Sequence, residues 1–213
     1  MKKLILSAIT AVLLSSSYVA ADVAVGLTAT MANVQIDGTE TLRNSNKRSN
    51  GNNGETVLFP EIFVEVYNDQ GAMGIAYIPV QEMGSKSRTD ANVGEGDNGT
   101  YKAEAELKNH IMFYADLNVV QILGQQFFVK GGLSMASIDT KENLNGGSSY
   151  DGDDVYGLTG GLGFKADIGE NLYYKVEGTY TEYADYNASS SAGNKIDAET
   201  DIFAGKVSLA YKF

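Results

Sequence analysis

The chain has 213 residues, a formal charge of −11, 24 glycines, 2 prolines and no cysteine. That acidity works against a nucleic-acid partner, and the lack of thiols removes disulfide frameworks and thiolate metal sites. Abundant glycine with little proline suits an all-β chain of one domain.

Lys2 and Lys3 precede an apolar run from Leu4 to Leu14 and then small residues ending in Val19-Ala20-Ala21, the pattern of an export leader. The run is shorter than the ~18–20 residues of a bilayer-crossing helix. Residues 1–21 are therefore expected to be a signal peptide cleaved after Ala21, and residues 22–213 the mature domain. No later stretch is apolar enough for a membrane helix, but spanning strands need apolar residues only at every second position.

From Asp22 the chain alternates. Val23, Val25, Leu27, Ala29 and Met31 share one face, while Ala24, Gly26, Thr28, Thr30 and Ala32 share the other, which is period two and a strand. Residues 36–56 turn polar and read as a long loop. A second strand follows from Val57 to Tyr67, a tight turn at Asn68-Asp69-Gln70-Gly71, and a third strand from Ala72 to Gln81. Centring that turn sets Val66 against Met73, Val64 against Ile75, Ile62 against Tyr77 and Pro60 against Pro79. Proline lacks the ladder donor, so the last pair is expected to be one without hydrogen bonds.

Residues 82–99 form a second polar loop, and a fourth strand runs from Tyr101 to Leu117 with Lys102, Glu104, Glu106, Lys108, His110, Met112, Tyr114 and Asp116 on its non-lipid face. A short turn at 118–124 leads to a fifth strand from Gln125 to Ile138. A third loop covers 139–154, a sixth strand runs from Val155 to Ile168, a turn occupies 169–171 and a seventh strand extends to Tyr183. Its neighbours bring Asp167 within diagonal reach of Lys175, and Lys165 within reach of Glu177. A fourth loop at 184–200 precedes the closing strand, in which Phe203, Gly205, Val207, Leu209, Tyr211 and Phe213 oppose Ala204, Lys206, Ser208, Ala210 and Lys212.

Eight amphipathic strands, four long loops and three short turns alternate, so adjacent strands are antiparallel, with all long loops at one end. In lipid an open sheet leaves unpaired backbone groups costing several kcal/mol each, so the sheet must close. The expected fold is an eight-stranded antiparallel up-and-down transmembrane β-barrel with short periplasmic turns and four long extracellular loops. Tyr101, Tyr156, Tyr180 and Phe203 supply an aromatic belt toward the loop end, and Tyr174, Tyr211 and Phe213 one toward the turn end.

The leader, the alternation, the loop asymmetry and the terminal Val207-x-Leu209-x-Tyr211-x-Phe213 resemble the small bacterial outer-membrane barrels of the OmpA, OmpX and Opa type. That resemblance covers the mature chain as a pattern and implies a bacterial outer-membrane location among lipid and lipopolysaccharide. It also implies that Leu209, Tyr211 and Phe213 are read by the outer-membrane assembly machinery.

The inward charges are Glu61, Glu65, Glu104, Glu106, Lys108, His110, Lys130, Lys165, Asp167, Lys175, Glu177 and Lys206. Eight strands enclose only enough space for side chains or one small ligand, so these groups are expected to plug the lumen rather than line an ion path. His110 is the only histidine. Related barrels include lipid A deacylases and palmitoyltransferases, but no serine lies near His110 in sequence, and no catalytic residue is assigned. Gly94-Glu95-Gly96-Asp97-Asn98-Gly99 matches a dinucleotide fingerprint literally, yet follows no buried parallel strand, opens no helix and carries acids. Asp151-Gly152-Asp153-Asp154 departs from the EF-hand spacing, so neither a cofactor nor a metal is expected. The leading functional reading is a structural platform whose outer loops contact external partners. A narrow solute channel and a lipid-modifying enzyme are the alternatives.

Overall fold

The computed structural model describes residues 21–41, 46, 48–90, 99–143, 152–189 and 195–213. Residues 1–20 of the expected signal peptide and the Gly94–Asn98 segment fall outside them, as does Asp151. The elements are β1 (Asp22–Thr41), β2 (Arg48–Asn68), β3 (Gly71–Ile78), β4 (Gln81–Asp90), β5 (Gly99–Ile122), β6 (Gln125–Asn143), β7 (Asp153–Ile168), β8 (Leu172–Tyr183), β9 (Tyr186–Ser189) and β10 (Lys195–Lys212). β3 and β4 are two halves of one stave interrupted at Pro79-Val80, and β8 and β9 two halves of another, so the wall has eight staves. Closure comes from β1 pairing antiparallel with β10, from Ala24↔Lys212 to Thr41↔Lys195.

Period-two patterning decides which way each side chain looks. Leu27, Met31, Leu58, Leu162 and Phe203 lie 61–75% exposed on the outer wall, whereas Ala24, Ala32, Phe63, Ala76 and Phe128 are buried inside. The outer wall thus carries the apolar belt that lipid requires. Ring pairs mark its rims: Tyr180 and Phe203 stand 6.1 Å apart toward the long connections, and Tyr211 and Phe213 stand 5.0 Å apart toward the short turns.

The β2–β3 hairpin has the expected register, including Val66↔Met73, Val64↔Ile75 and Ile62↔Tyr77. Glycines meet bulk where the lumen is narrow. A Cβ on Gly26 would sit 2.3 Å from the Phe63 ring, and one on Gly74 would sit 2.5 Å from Tyr114.

Four expectations need correction. The long connections are mostly strand: β1 reaches Thr41, β2 starts at Arg48, β5 starts at Gly99 and β10 starts at Lys195. At ~3.3 Å per residue β1 is about 65 Å long, well over the ~25 Å apolar band. Backbone pairing continues past the lipid because it needs no apolar side chain.

The turn placed at residues 118–124 narrows to Leu123-Gly124, since β5 and β6 pair as far as Ile122↔Gln125. Leu123 (φ 52°) and Gly124 (φ 82°) both adopt left-handed backbone, as a two-residue hairpin demands.

Pro60 does not pair with Pro79. The β2–β3 ladder ends at Ile62↔Tyr77, and Pro79 lies in the break before β4.

The faces of β5 also differ from the alternation expected. Its register against β6 shifts between Lys108↔Ser137 and Ile111↔Met135, leaving Asn109 and His110 together opposite one residue. Asn109 takes the left-handed conformation (φ 52°), which asparagine tolerates. One extra residue flips the faces beyond it. Leu107 is consequently buried with Ala136, Val155 and Tyr183, and Lys108 turns to the outer face, while Glu106 remains buried.

Candidate functional site

The lumen and the outer ribbons are the two places where chemistry concentrates. Apolar side chains close the lumen toward the long connections. Ala32, Phe59, Ile78 and Ala204 form one cluster, with Val57 and Ile202 against it. Leu107, Ala136, Val155 and Tyr183 form a second. Toward the short turns, Phe63, Met112, Tyr114 and Tyr173 pack with Ala24, Ala76 and Ala210 around the charges.

The charges form a connected chain. Lys175 Nζ lies 2.8 Å from Glu65 Oε2 and 3.2 Å from Asp116 Oδ2. Lys130 Nζ lies 2.8 Å from Asp116 Oδ1 and 2.9 Å from Glu177 Oε1, as ion contacts without hydrogen-bond angles. Three carboxylates share two ammonium groups, and phenols reinforce the arrangement. The Tyr114 hydroxyl donates to Glu65 Oε2 at 2.7 Å, and that of Tyr173 donates to Oε1 at 2.5 Å. Lys130 also stands 3.6 Å above the Tyr114 ring, a cation–π contact strengthened by exclusion of water.

Each side chain in this chain is at most 4% exposed. Burying charge is costly unless every group is paired, and Glu65 is paired three ways. One layer along, Lys206 Nζ meets Glu61 Oε2 at 2.8 Å, and Thr28 and Ser208 hydroxyls join at 2.8 Å.

Of the residues expected inside, Glu61, Glu65, Lys130, Lys175, Glu177 and Lys206 are brought together in these contacts. His110 is buried, with Nε2 3.0 Å from the Tyr183 hydroxyl, so its ring engages a phenol from across the lumen. Lys165 is only half-buried near the turn-end mouth, 5.8 Å from the centroid of the Tyr67 ring. The expected Asp167–Lys175 and Lys165–Glu177 pairs do not form. Asp167 is exposed and pairs with Lys212 at 3.0 Å, because Lys175 already has two carboxylates deeper in the lumen.

Lys108 is corrected to the outer rim, where its Nζ contacts Asp139 Oδ2 at 2.5 Å and Oε2 of Glu106, which stays buried, at 3.4 Å. Glu104 lies in β5, but its side chain is outside those described, as is that of Tyr101. Leu209, Tyr211 and Phe213 face outward, 46–74% exposed.

Asp116, which bridges both lysines, was absent from the expected charge set, and Tyr114 and Tyr173 were not expected as partners of Glu65. Alternation already placed Asp116 inward. The missing signal was its neighbour across the barrel, since Lys175 lies 59 positions away.

Above the belt, a cavity of about 720 Å³ is walled by β1, β2, β9, β10 and the β8–β9 break. Asp37, Asp185, Asp197 and Glu199 line it together with Asn50, Asn52 and Asn187. Among the described residues no group of His, Cys, Asp or Glu is arranged to hold a metal ion.

No family model matches the chain. It is similar to the 25 kDa outer-membrane immunogenic protein of Brucella canis, 27% identical over 151 residues that make up 70% of this chain and 58% of that protein. The chain therefore spans somewhat over half the length of that relative. Its fold is similar to that of the outer membrane protein OprG from Pseudomonas aeruginosa (TM-score 0.54, 16% identity, covering 88% of this chain and 96% of OprG). It is also similar to the outer membrane protein AlkL (TM-score 0.55, 11% identity, 93% of each chain). The fold is that of the small outer-membrane barrels, and the chain belongs in the bacterial outer membrane.

Proposed function

We propose that this outer-membrane barrel is a rigid, plugged platform that holds strand-built ribbons outside the cell surface for contact with external partners. The observation that carries this reading is the filled lumen. Lys175 and Glu65 are among the most deeply buried side chains of the described residues, and apolar clusters close the interior beyond them. An eight-stranded wall leaves little room for a path around such a plug. The test is recording from the purified full chain in planar bilayers. No steady unit conductance is expected, and reproducible steps would replace the platform with a solute channel.

Outer-membrane lipid and lipopolysaccharide would surround the belt and its aromatic rims. Leu209, Tyr211 and Phe213, exposed on the closing strand, would serve as the address read by the assembly machinery. Phe213→Ala is then expected to lower the amount of folded barrel in cells several-fold, while the purified variant refolds in detergent like the parent. An equal yield in cells would remove Phe213 from that role.

A further inference from the structure

Among the described residues, β2 is paired on one side only over more than half its length. β1 follows it from Asp22↔Tyr67 to Thr41↔Arg48. On the other side, β3 pairs with it only from Ile62 to Asn68, and β4, which continues that stave, pairs with β5. The wall forks at Pro60 and Pro79, where the missing N–H groups weaken a ladder. Residues 48–61 thus present an edge of backbone donors and acceptors, most of it above the apolar belt, whose last outward member on β2 is Leu58. Natural edges are usually guarded by lysine, proline or a bulge. Here the stretch Asn50-Gly51-Asn52-Asn53-Gly54 has none of these.

The charge around this edge selects among occupants. Asn50, Gly51 and Asn52 also wall the cavity that contains Asp37, Asp185, Asp197 and Glu199, and among the described residues no lysine or arginine lines it. Asp37 stands directly across the ladder from Glu199, a like-charged pair that disfavours the sheet. An incoming strand with cationic side chains on that face would relieve it. A second copy of this chain fits poorly. Two barrels upright in one membrane run their β2 strands in the same direction, so their edges meet in the weaker parallel arrangement, and each brings the same acids.

We infer that the exposed edge of β2 takes an added antiparallel strand from an extended, cationic polypeptide of another protein, by backbone pairing with charge recognition in the adjoining acidic cavity. This rests on the platform reading and names the kind of partner the platform holds.

The test uses the full chain in phosphatidylcholine nanodiscs and a blocked decapeptide of alternating Lys and Thr. Binding should slow amide exchange in β2 between residues 50 and 59 at least tenfold. In such a peptide all lysine N–H groups point to one edge and all threonine N–H groups to the other. Of two versions, N-methylated at every Lys or at every Thr, one should bind like the parent and the other at least tenfold more weakly. An alternating Glu-Thr peptide should not bind. The combined D37N, D197N and E199Q variant should weaken the Lys-Thr peptide at least tenfold.

Equal binding of both methylated peptides, or protection outside β2, would overturn the edge assignment. So would failure of the Lys-Thr peptide to bind at millimolar concentration. Unchanged affinity in the triple variant would overturn the choice of a cationic partner. None of these results touches the plugged lumen, which the bilayer recording tests separately.

Discussion

Replacing Lys175 with methionine is expected to destabilise the folded barrel by about 3–5 kcal/mol, the typical cost of leaving a buried charge without its partner. Methionine nearly fills the space of lysine, so the loss is electrostatic rather than a cavity. The Lys175 side chain is 2% exposed and sits between Glu65 and Asp116. Its removal leaves Glu65 with only the Tyr114 and Tyr173 hydroxyls, while Asp116 keeps Lys130. Urea titration in lipid vesicles, read by the mobility difference between folded and unfolded barrel on gels, measures the change. Adding Glu65→Gln to Lys175→Met should recover more than half of the loss, because removing both members of a buried pair costs far less than removing one. A single variant within about 1 kcal/mol of the parent would mean that the lumen is solvated, since exposed ion pairs contribute about that much or less. The plugged-barrel reading would fall with it.

Leu162→Arg should cost about 2–4 kcal/mol, the range for a cation on the lipid face of a barrel near the bilayer midplane. Leu162 is 69% exposed on β7, flanked on the same face by Leu158 and Phe164. In water such a replacement on an exposed site would be nearly neutral. The comparison is Asn33→Arg, at an exposed position on β1 beyond Met31, the last apolar residue of the outer face. There the change should stay within about 0.5 kcal/mol. Equal effects at the two positions in the same vesicle titration would mean that the belt is not in lipid. A large penalty at Leu162 alone would place its boundary between them.

How far the fold could be read in advance differs by region. The eight staves, the strand direction and the β2–β3 register were legible, because alternation and one centred turn suffice to place Val64 against Ile75. The outer ends of the strands were not. The apolar signal stops with the lipid near Met31, yet β1 continues pairing to Thr41. The flip at Asn109 was also hidden, because alternation in sequence runs unbroken through a bulge while alternation in space does not. Leu107 therefore looked like a lipid-facing residue and Lys108 like a lumenal one.

The candidate sites divide in the same way. Most of the plug could be listed from its charges, but the pairings could not. Lys175 chooses Glu65, 110 positions away, over Asp167 on the neighbouring strand. The edge of β2 had no sequence signal at all, since residues 50–54 read as loop.

Composition and period-two order determined by themselves that this chain is a membrane-spanning barrel, which side of each stave but the outer part of β5 meets hydrocarbon, and at which end the long connections gather. Those properties depend only on a residue's nearest neighbours along the strand and on the solvent it faces. The tertiary structure alone decided which lumenal charges neutralise one another, where the bulge reverses the faces and which strand is left with an edge. Each of these follows from closing the sheet, which sets distances between residues far apart in the chain.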